Sequence, residues 1–549
     1  MIKRIVIVGG GLTGWYTACA IQHGIPDVEI VVIDSDRIKP LSVGEVTGFD
    51  APMNLDRLCG ISDDAHFIGE TGAIYKFGVR GIDFFQNNKT HSWGKFPNLK
   101  IRSLSKFYDK FDWEDFEEPW NRSPDDIGVF MSWLSLNRNH KSYQDMTLET
   151  DERDYFLNNP AAPFDRQNRL ILRQGQGLAY HLDATRSGAY FRGLVLYRNT
   201  DNRVTWITNE VKQVVLDTDC SENIKQLILE DGTKITADLF VDCTGLSRVL
   251  MKNSSNTSWS DHGPDYNNAV WFAPSQYQDP AKELIGSSEF CGEDWGWRFK
   301  VRLYHRIGNG YVFNTNLCDP EIPLQRLLQV LDGNQLAEPK LMKWDPGQYN
   351  QPWHGNLVPM GLAAGFVDPY DAATFESHNR ALDDFIPIIR NWGSEDNPQS
   401  KYNEYRNVTV SERNMRLDLT FGVSQRSGPF WDSRREIGRK KDVFNQMRDI
   451  VLEKRSDVES RMKWHWHHQY ARSCMASGVD MSAWDFPKVS ESDRDIAEAF
   501  FTYNRARNKY ISQQKWPNYS EWLRVNRFGG RSNEQVLHDL NPHLANNLK

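Results

Sequence analysis

The run Ile5-Val6-Ile7-Val8 ends in Gly9-x-Gly11-x-x-Gly14, and that order leaves the chain few folds. A short apolar run that breaks into glycines predicts a buried strand entering a tight turn, and Trp15–Gln22 opens a helix behind it. Val28–Asp34 reads as a second strand, which completes a βαβ unit. Gly9 permits the turn, Gly11 lets backbone approach a pyrophosphate, and Gly14 lets the helix pack on the strand; Gly10 and Thr13 share the loop. The helix N-terminus then favours phosphate charge. Asp34 follows Gly14 by 20 positions at the end of the second strand, where an acid suits the ribose hydroxyls of an adenosine.

At 549 residues the chain predicts two to four structural units. A net charge of −8 with no Lys/Arg-rich block argues against a nucleic-acid partner. The seven cysteines are scattered without a C-x-x-C pair, which suits free thiols in a reducing compartment. The opening MIKRIVIVGGG lacks the long apolar core of a signal peptide, and no stretch approaches a membrane span. A cytoplasmic protein with no membrane partner is the expectation, and a homo-oligomer is compatible with it. The 19 tryptophans fit either a filled core or an aromatic-lined pocket. His465 and His468 in Trp464-His465-Trp466-His467-His468 have metal-like spacing but no acid or cysteine partner, so packing or a pocket rim is preferred and no metal is expected.

Residues 86–165 are polar, acidic and aromatic without periodicity and read as an insertion covering the active site. Residues 203–250 and Trp295–Phe313 alternate as strands, with Asp231-Gly232 as a hairpin turn. From Ala372 the pattern turns helical; Asn391–Ser400 is a joint, and Val443, Phe444, Met447, Ile450 and Val451 share one helix face. The expected division is 1–85 with 166–380 as a nucleotide-binding module containing an inserted sheet, 86–165 as the insertion, and 381–549 as a mainly helical substrate region.

Two later segments bear on the cofactor. Leu239-Phe240-Val241-Asp242-Cys243-Thr244-Gly245 is an apolar strand ending in an acid and a glycine, and Gly355-Asn356 leads to Gly361. Both resemble the distant segments that complete the FAD module of glutathione-reductase-type flavoproteins. The resemblance implies an α/β fold of that Rossmann-like type and FAD as cofactor. There is no second G-x-G-x-x-G, so reduced FAD is expected from a separate flavin reductase.

A narrower resemblance spans residues 1 to about 431. Ser42-Val43-Gly44-Glu45-Val46-Thr47 is similar to the G-x-G-E-A-T stretch of flavin-dependent halogenases. Trp295-Gly296-Trp297-Arg298-Phe299-Lys300 resembles their W-x-W-x-I-P, and Gly308-Asn309-Gly310-Tyr311-Val312 their G-x-G-Y-V. Tyr180–Ala184 and Arg426–Trp431 look like further landmarks, and Leu239–Gly245 is close to L-F-V-D-C-S-G. The last hundred residues match no landmark.

The resemblance to this tryptophan-halogenase-like family implies that reduced FAD, oxygen and halide (chloride, bromide or iodide) yield hypohalous acid for halogenation of an indole- or phenol-like substrate. It assigns the catalytic lysine to Lys76, in Gly72–Val79. Tyr75 and Phe77 are expected to desolvate its amine. The catalytic glutamate corresponds to Asp371, one methylene shorter, and the halide site to Ala373 and Thr374, where backbone N–H groups can serve. Val43, Glu45, Asp242, Gly361 and Phe375 are implied beside the cofactor, and Trp295 with Trp297 as the separator between flavin and substrate. Asp371-Ala372, Lys300 in place of the proline, and extra residues before Gly308 mark a divergent member, for which a phage-encoded relative is one candidate. The rivals are a flavin-dependent aromatic monooxygenase, which usually shows adjacent Asp-Gly where this chain separates Asp242 from Gly245, and a non-catalytic flavoprotein.

Overall fold

The computed structural model describes residues 2–38, 44–48, 51–93, 154–164, 178–220, 222–255, 257–370, 373–393, 397–451, 473–474, 477–479, 491, 509 and 511–545. Most of the expected 86–165 insertion and the tryptophan–histidine cluster at 464–468 lie outside the described residues. So do Val43, Asp371 and Ala372.

Arg4–Val8, Glu29–Asp34, Val204–Thr208, Leu239–Asp242 and Leu357–Pro359 form one five-stranded sheet, with Arg4–Val8 at its centre. Every pairing in it is parallel. Strands buried on both faces read as continuous apolar runs, which is why Ile5-Val6-Ile7-Val8 and Leu239-Phe240-Val241 show no alternation. The helices Leu12–Gly24 and Ala184–Tyr197 pack on each other beside this sheet. They meet closely at Gly188, where a Cβ would come within 3.1 Å of the Leu12 amide nitrogen.

A second sheet has seven strands in the order Lys340–Lys343, Ala269–Ser275, Ile307–Phe313, Gly296–Arg302, Ser287–Glu293, Gly78–Ile82 and Thr90–Trp93. All its pairings are antiparallel except Ser287–Glu293 with Gly78–Ile82. A small antiparallel sheet, Gly44–Val46, Ala179–Asp183 and Ile74–Lys76, packs beside the seven-stranded one. It approaches the seven-stranded sheet almost backbone to backbone: a Cβ on Gly308 would lie 3.3 Å from the Gly44 nitrogen. Larger residues at either point would push the small sheet away.

Helices dominate after residue 373, as expected: Ala373–Arg390, Pro398–Gly422, Pro429–Lys440 and Val443–Val451. The expected boundary at 380/381 falls inside the first of them. That helix packs on Leu12–Gly24, with Leu382, Phe385 and Ile386 in the same core as Ile21, so it belongs to the nucleotide-binding half. Tyr519–Asn526 and Asn533–Leu540 also return to this core; Phe528 stacks on Tyr304 at 3.8 Å. The chain's end is therefore part of the main body.

Candidate active site

The glycine turn has the geometry that the motif demands. Gly9 sits at φ +108°, and a Cβ there would lie 2.4 Å from the Cys243 carbonyl oxygen, so this turn and the end of Leu239–Asp242 are held in contact. A Cβ on Gly14 would fall 1.8 Å from the Gly9 oxygen, and one on Gly10 would strike the Asp34 carboxylate at 1.9 Å. Gly11 differs: a Cβ there would meet no protein atom within 4 Å, although it precedes the first turn of Leu12–Gly24. A glycine that packing does not require, at a helix N-terminus, fits the close approach of a pyrophosphate. Gly361, at φ +61°, lies against Thr13, whose side chain a Cβ would meet at 2.8 Å. Three distant segments thus converge on one cradle, with Asp34 at its edge. Burial raises the Asp34 carboxyl, and the nearby Arg192 opposes that shift.

Two expected cofactor residues are used otherwise. The Asp242 carboxylate accepts from the Thr244 amide (3.0 Å), the Thr244 hydroxyl (2.6 Å), and the Leu250 and Met251 amides (2.8 and 3.0 Å). It shapes the loop that touches Gly9 and has little accepting capacity left for a ligand. Replacing it by alanine would strand four donors. Asp242→Ala is expected to cost about 2–4 kcal/mol of stability, measured by denaturant unfolding, and to weaken flavin binding along with it. An unchanged unfolding midpoint would contradict this assignment. Phe375 packs its ring on Tyr16 (centroids 5.4 Å apart) as part of the core.

Beyond the cradle a cavity runs between the small sheet and the seven-stranded one, lined by Glu45, Lys76, Ser288, Trp297, Phe299, Leu362, Tyr370 and Thr374 among others. Burial pushes the Glu45 carboxyl up to about 7. Lys76 is 3% exposed, and its Nζ donates to the Thr47 carbonyl at 3.2 Å. The residues that desolvate it are not the expected ones. Side chains alternate along a strand, so Tyr75 points away from the face used by Lys76. Its hydroxyl donates to Asp64 (2.8 Å), and Phe77 packs on Tyr519. Tyr519 in turn donates to the Tyr75 carbonyl at 2.8 Å, so the unplaced C-terminal segment buttresses the lysine strand. The cavity that Lys76 borders is lined mostly by apolar side chains.

The tryptophan pair also divides. Trp297 is 2% exposed, lines the cavity and meets Tyr370 edge to face at 5.9 Å. Trp295 stands in the turn between Ser287–Glu293 and Gly296–Arg302, half-buried and away from the cavity lining, because the hairpin reverses at that residue. Asp368 anchors the segment approaching residue 371: it accepts from the Asn267 amide group (2.7 Å) and the Tyr370 amide (3.0 Å), and burial pushes it up to about 6. Ala373 and Thr374 begin the 18-residue helix Ala373–Arg390, so their N–H groups have no carbonyl partner within it. His181 and Ser288, beside Lys76, carried no sequence signal of their own; only the Tyr180–Ala184 landmark pointed near them.

Among the described residues no group of three or more His, Cys, Asp or Glu could hold a metal ion, and no helix is long and apolar enough to cross a membrane. The cysteines are free.

A family model for tryptophan halogenase matches residues 4–485. Tryptophan 6-halogenase SttH of Streptomyces toxytricini is 27% identical over 394 residues, covering 70% of this chain and 71% of that one. The 7-chloro-L-tryptophan 6-halogenase KtzR of Kutzneria sp. (strain 744) is 25% identical, covering 72% and 74%. Among solved structures, the tryptophan halogenase of Shewanella frigidimarina superposes with a TM-score of 0.77 at 20% identity, covering 97% of this chain and 99% of that one. BrvH, a flavin-dependent halogenase from Brevundimonas sp. BAL3, gives 0.71 at 19% identity, covering 95% and 99%. At these identities the structural likeness establishes the fold.

Proposed function

The chain belongs to the tryptophan halogenase family, whose members halogenate aromatic compounds, and from that premise we propose that it is an FAD-dependent halogenase acting through Lys76 on an indole- or phenol-like substrate. The observation that carries this reading is the burial of Lys76 in a cavity that also reaches Trp297 and Thr374. A lysine is placed at such a depth at a cost in solvation, which suits a chemical role better than a packing one.

The glycine turn, Thr13, Asp34 and Gly361 would hold FAD, with Glu45 bordering the cavity. FAD reduced by a partner reductase supplies, with oxygen, the oxidising power that turns halide into hypohalous acid. The protein's own residues do the rest. The Ala373 and Thr374 amides hold halide at a helix N-terminus. The apolar wall excludes water, Trp297 keeps the arene off the flavin, and the Lys76 amine positions the electrophile. Asp371, from its place in the sequence, stabilises the cation formed on the ring and takes its proton. Its shorter side chain and the neighbouring Ala372 favour bromide or iodide, which are easier to oxidise than chloride.

Mass spectrometry of an arene panel with each halide, reduced FAD and a flavin reductase tests this directly. Expected is a halogenated arene, with bromide outrunning chloride in competition. A hydroxylated product formed without halide would replace this reading with a monooxygenase, and FAD binding without turnover of any arene with a binding-only flavoprotein. Equal or better turnover with chloride would remove the halide preference alone.

A further inference from the structure

The cavity face of the seven-stranded sheet carries a single hydroxyl among its described residues. Ser288 lies opposite Val79, and Phe290 opposite Phe299, with Trp297 and Val301 on the same side. Alternation sends Arg80, Glu289 and Arg302 to the far face, where Glu289 pairs with Arg80 and Arg302 at 2.9 Å each. Ser288 is thus the hydroxyl of a mainly apolar cavity face, which Glu289 and Lys300 also border.

Its hydrogen bond is directional. Ser288 Oγ lies 2.8 Å from His181 Nε2, and His181 Nδ1 lies 2.8 Å from the Arg302 carbonyl oxygen. A carbonyl only accepts, so Nδ1 carries the proton. His181 is fully buried, and burial, followed by the charge of Lys76, lowers its pKa to about 3, so the ring is neutral. Nε2 is then an acceptor, and the Ser288 hydroxyl must donate to it. The serine oxygen's own lone pairs stay available to the cavity. In the small sheet Ala179 stands opposite Lys76 and His181 opposite Ile74, so His181 and Lys76 project from one face. Both sides of the cavity therefore bring polar groups to the same spot.

We propose that Ser288, held as an acceptor by His181, is the second protein group that binds hypohalous acid at Lys76, with His181 as its positioning residue. This rests on the assignment of Lys76 as the amine that positions the electrophile. Lys76 donates to the oxygen of HO–X, Ser288 accepts its O–H, and the halogen is left pointing away from both. When the ring carbon attacks, the C–X bond forms and the O–X bond breaks. The electron pair stays on oxygen, which takes a proton from Lys76 and leaves as water. The ring carbon then loses its proton to a carboxylate, from which Lys76 is reprotonated, so arene and hypohalous acid give haloarene and water.

Without the Ser288 hydroxyl, hypohalous acid would be held less well and escape. For Ser288→Ala we expect haloarene per reduced FAD consumed to fall about tenfold or more, with a matching rise in halogenation of a soluble diketone trap. Ser288→Thr, which keeps the hydroxyl, should restore most of the coupling. Independently of turnover, ¹⁵N NMR of the wild-type protein should show His181 Nε2 as an unprotonated acceptor, with its shift altered in Ser288→Ala. Unchanged coupling and trapping in Ser288→Ala, beside a Lys76→Ala variant that has lost arene halogenation, would overturn the proposal. A protonated Nε2 would overturn it as well. If Lys76→Ala itself still halogenates normally, the underlying assignment of Lys76 fails instead.

Discussion

Lys76→Ala is expected to lower arene halogenation by about a thousandfold while FAD binding stays within about twofold, since a donor aimed at reacting atoms in a dry site commonly carries a factor of that order. The geometry makes the two effects separable. Lys76 projects from the small sheet into the cavity, whereas the proposed FAD cradle is built from Gly9–Gly14, Cys243 and Gly361. The variant gives up one donor to the Thr47 carbonyl and leaves a void, so some loss of stability should accompany it. Lys76→Met keeps most of the volume and removes the amine. Loss of halogenation in both variants, with flavin fluorescence titrations near wild type, would place the effect in chemistry. Activity restored by methionine would show that the cavity needed filling and not an amine.

The second large effect lies in the cradle, where two glycines three residues apart should fail differently. A Cβ on Gly14 would stand 1.8 Å from the Gly9 oxygen, so Gly14→Ala must separate helix from turn. Overpacking of this kind costs about 1–3 kcal/mol, and FAD affinity should drop at least about a hundredfold as the turn deforms. Gly11→Ala meets no protein atom, so its melting temperature without flavin should match wild type. Its FAD affinity should nevertheless fall about tenfold or more, because the methyl group occupies the line along which a pyrophosphate reaches the backbone. If Gly11→Ala binds FAD as tightly as wild type, the cofactor lies elsewhere.

The two cradle variants also mark the limit of what a motif conveys. That Gly9, Gly11 and Gly14 form a turn between strand and helix was legible, since each requirement is local. Which neighbour each glycine meets was not. Gly9 contacts Cys243, more than two hundred residues away, and only the parallel pairing of Arg4–Val8 with Leu239–Asp242 puts them together. Asp242 shows the same limit from the other side. Its position after an apolar strand marked it as important, but its direction depends on the amides of Leu250 and Met251, which no pattern around Asp242 announces.

The amino-acid sequence by itself determined the opening βαβ unit, the FAD expectation and the family, because apolar runs, glycine spacing and short motifs are written in consecutive residues. It also singled out Lys76, though with the wrong neighbours as the source of its dry surroundings. Tertiary structure alone decided that Tyr75 and Phe77 turn to the back of the strand and that Tyr519 braces them there. It also decided that Trp297 joins the cavity while Trp295 turns with the hairpin, and that Ser288 meets His181 across 107 positions of sequence. The reason is physical: burial and hydrogen-bond direction are set by whichever distant strand comes to lie alongside, and a local pattern of residues specifies a face without specifying what that face will meet.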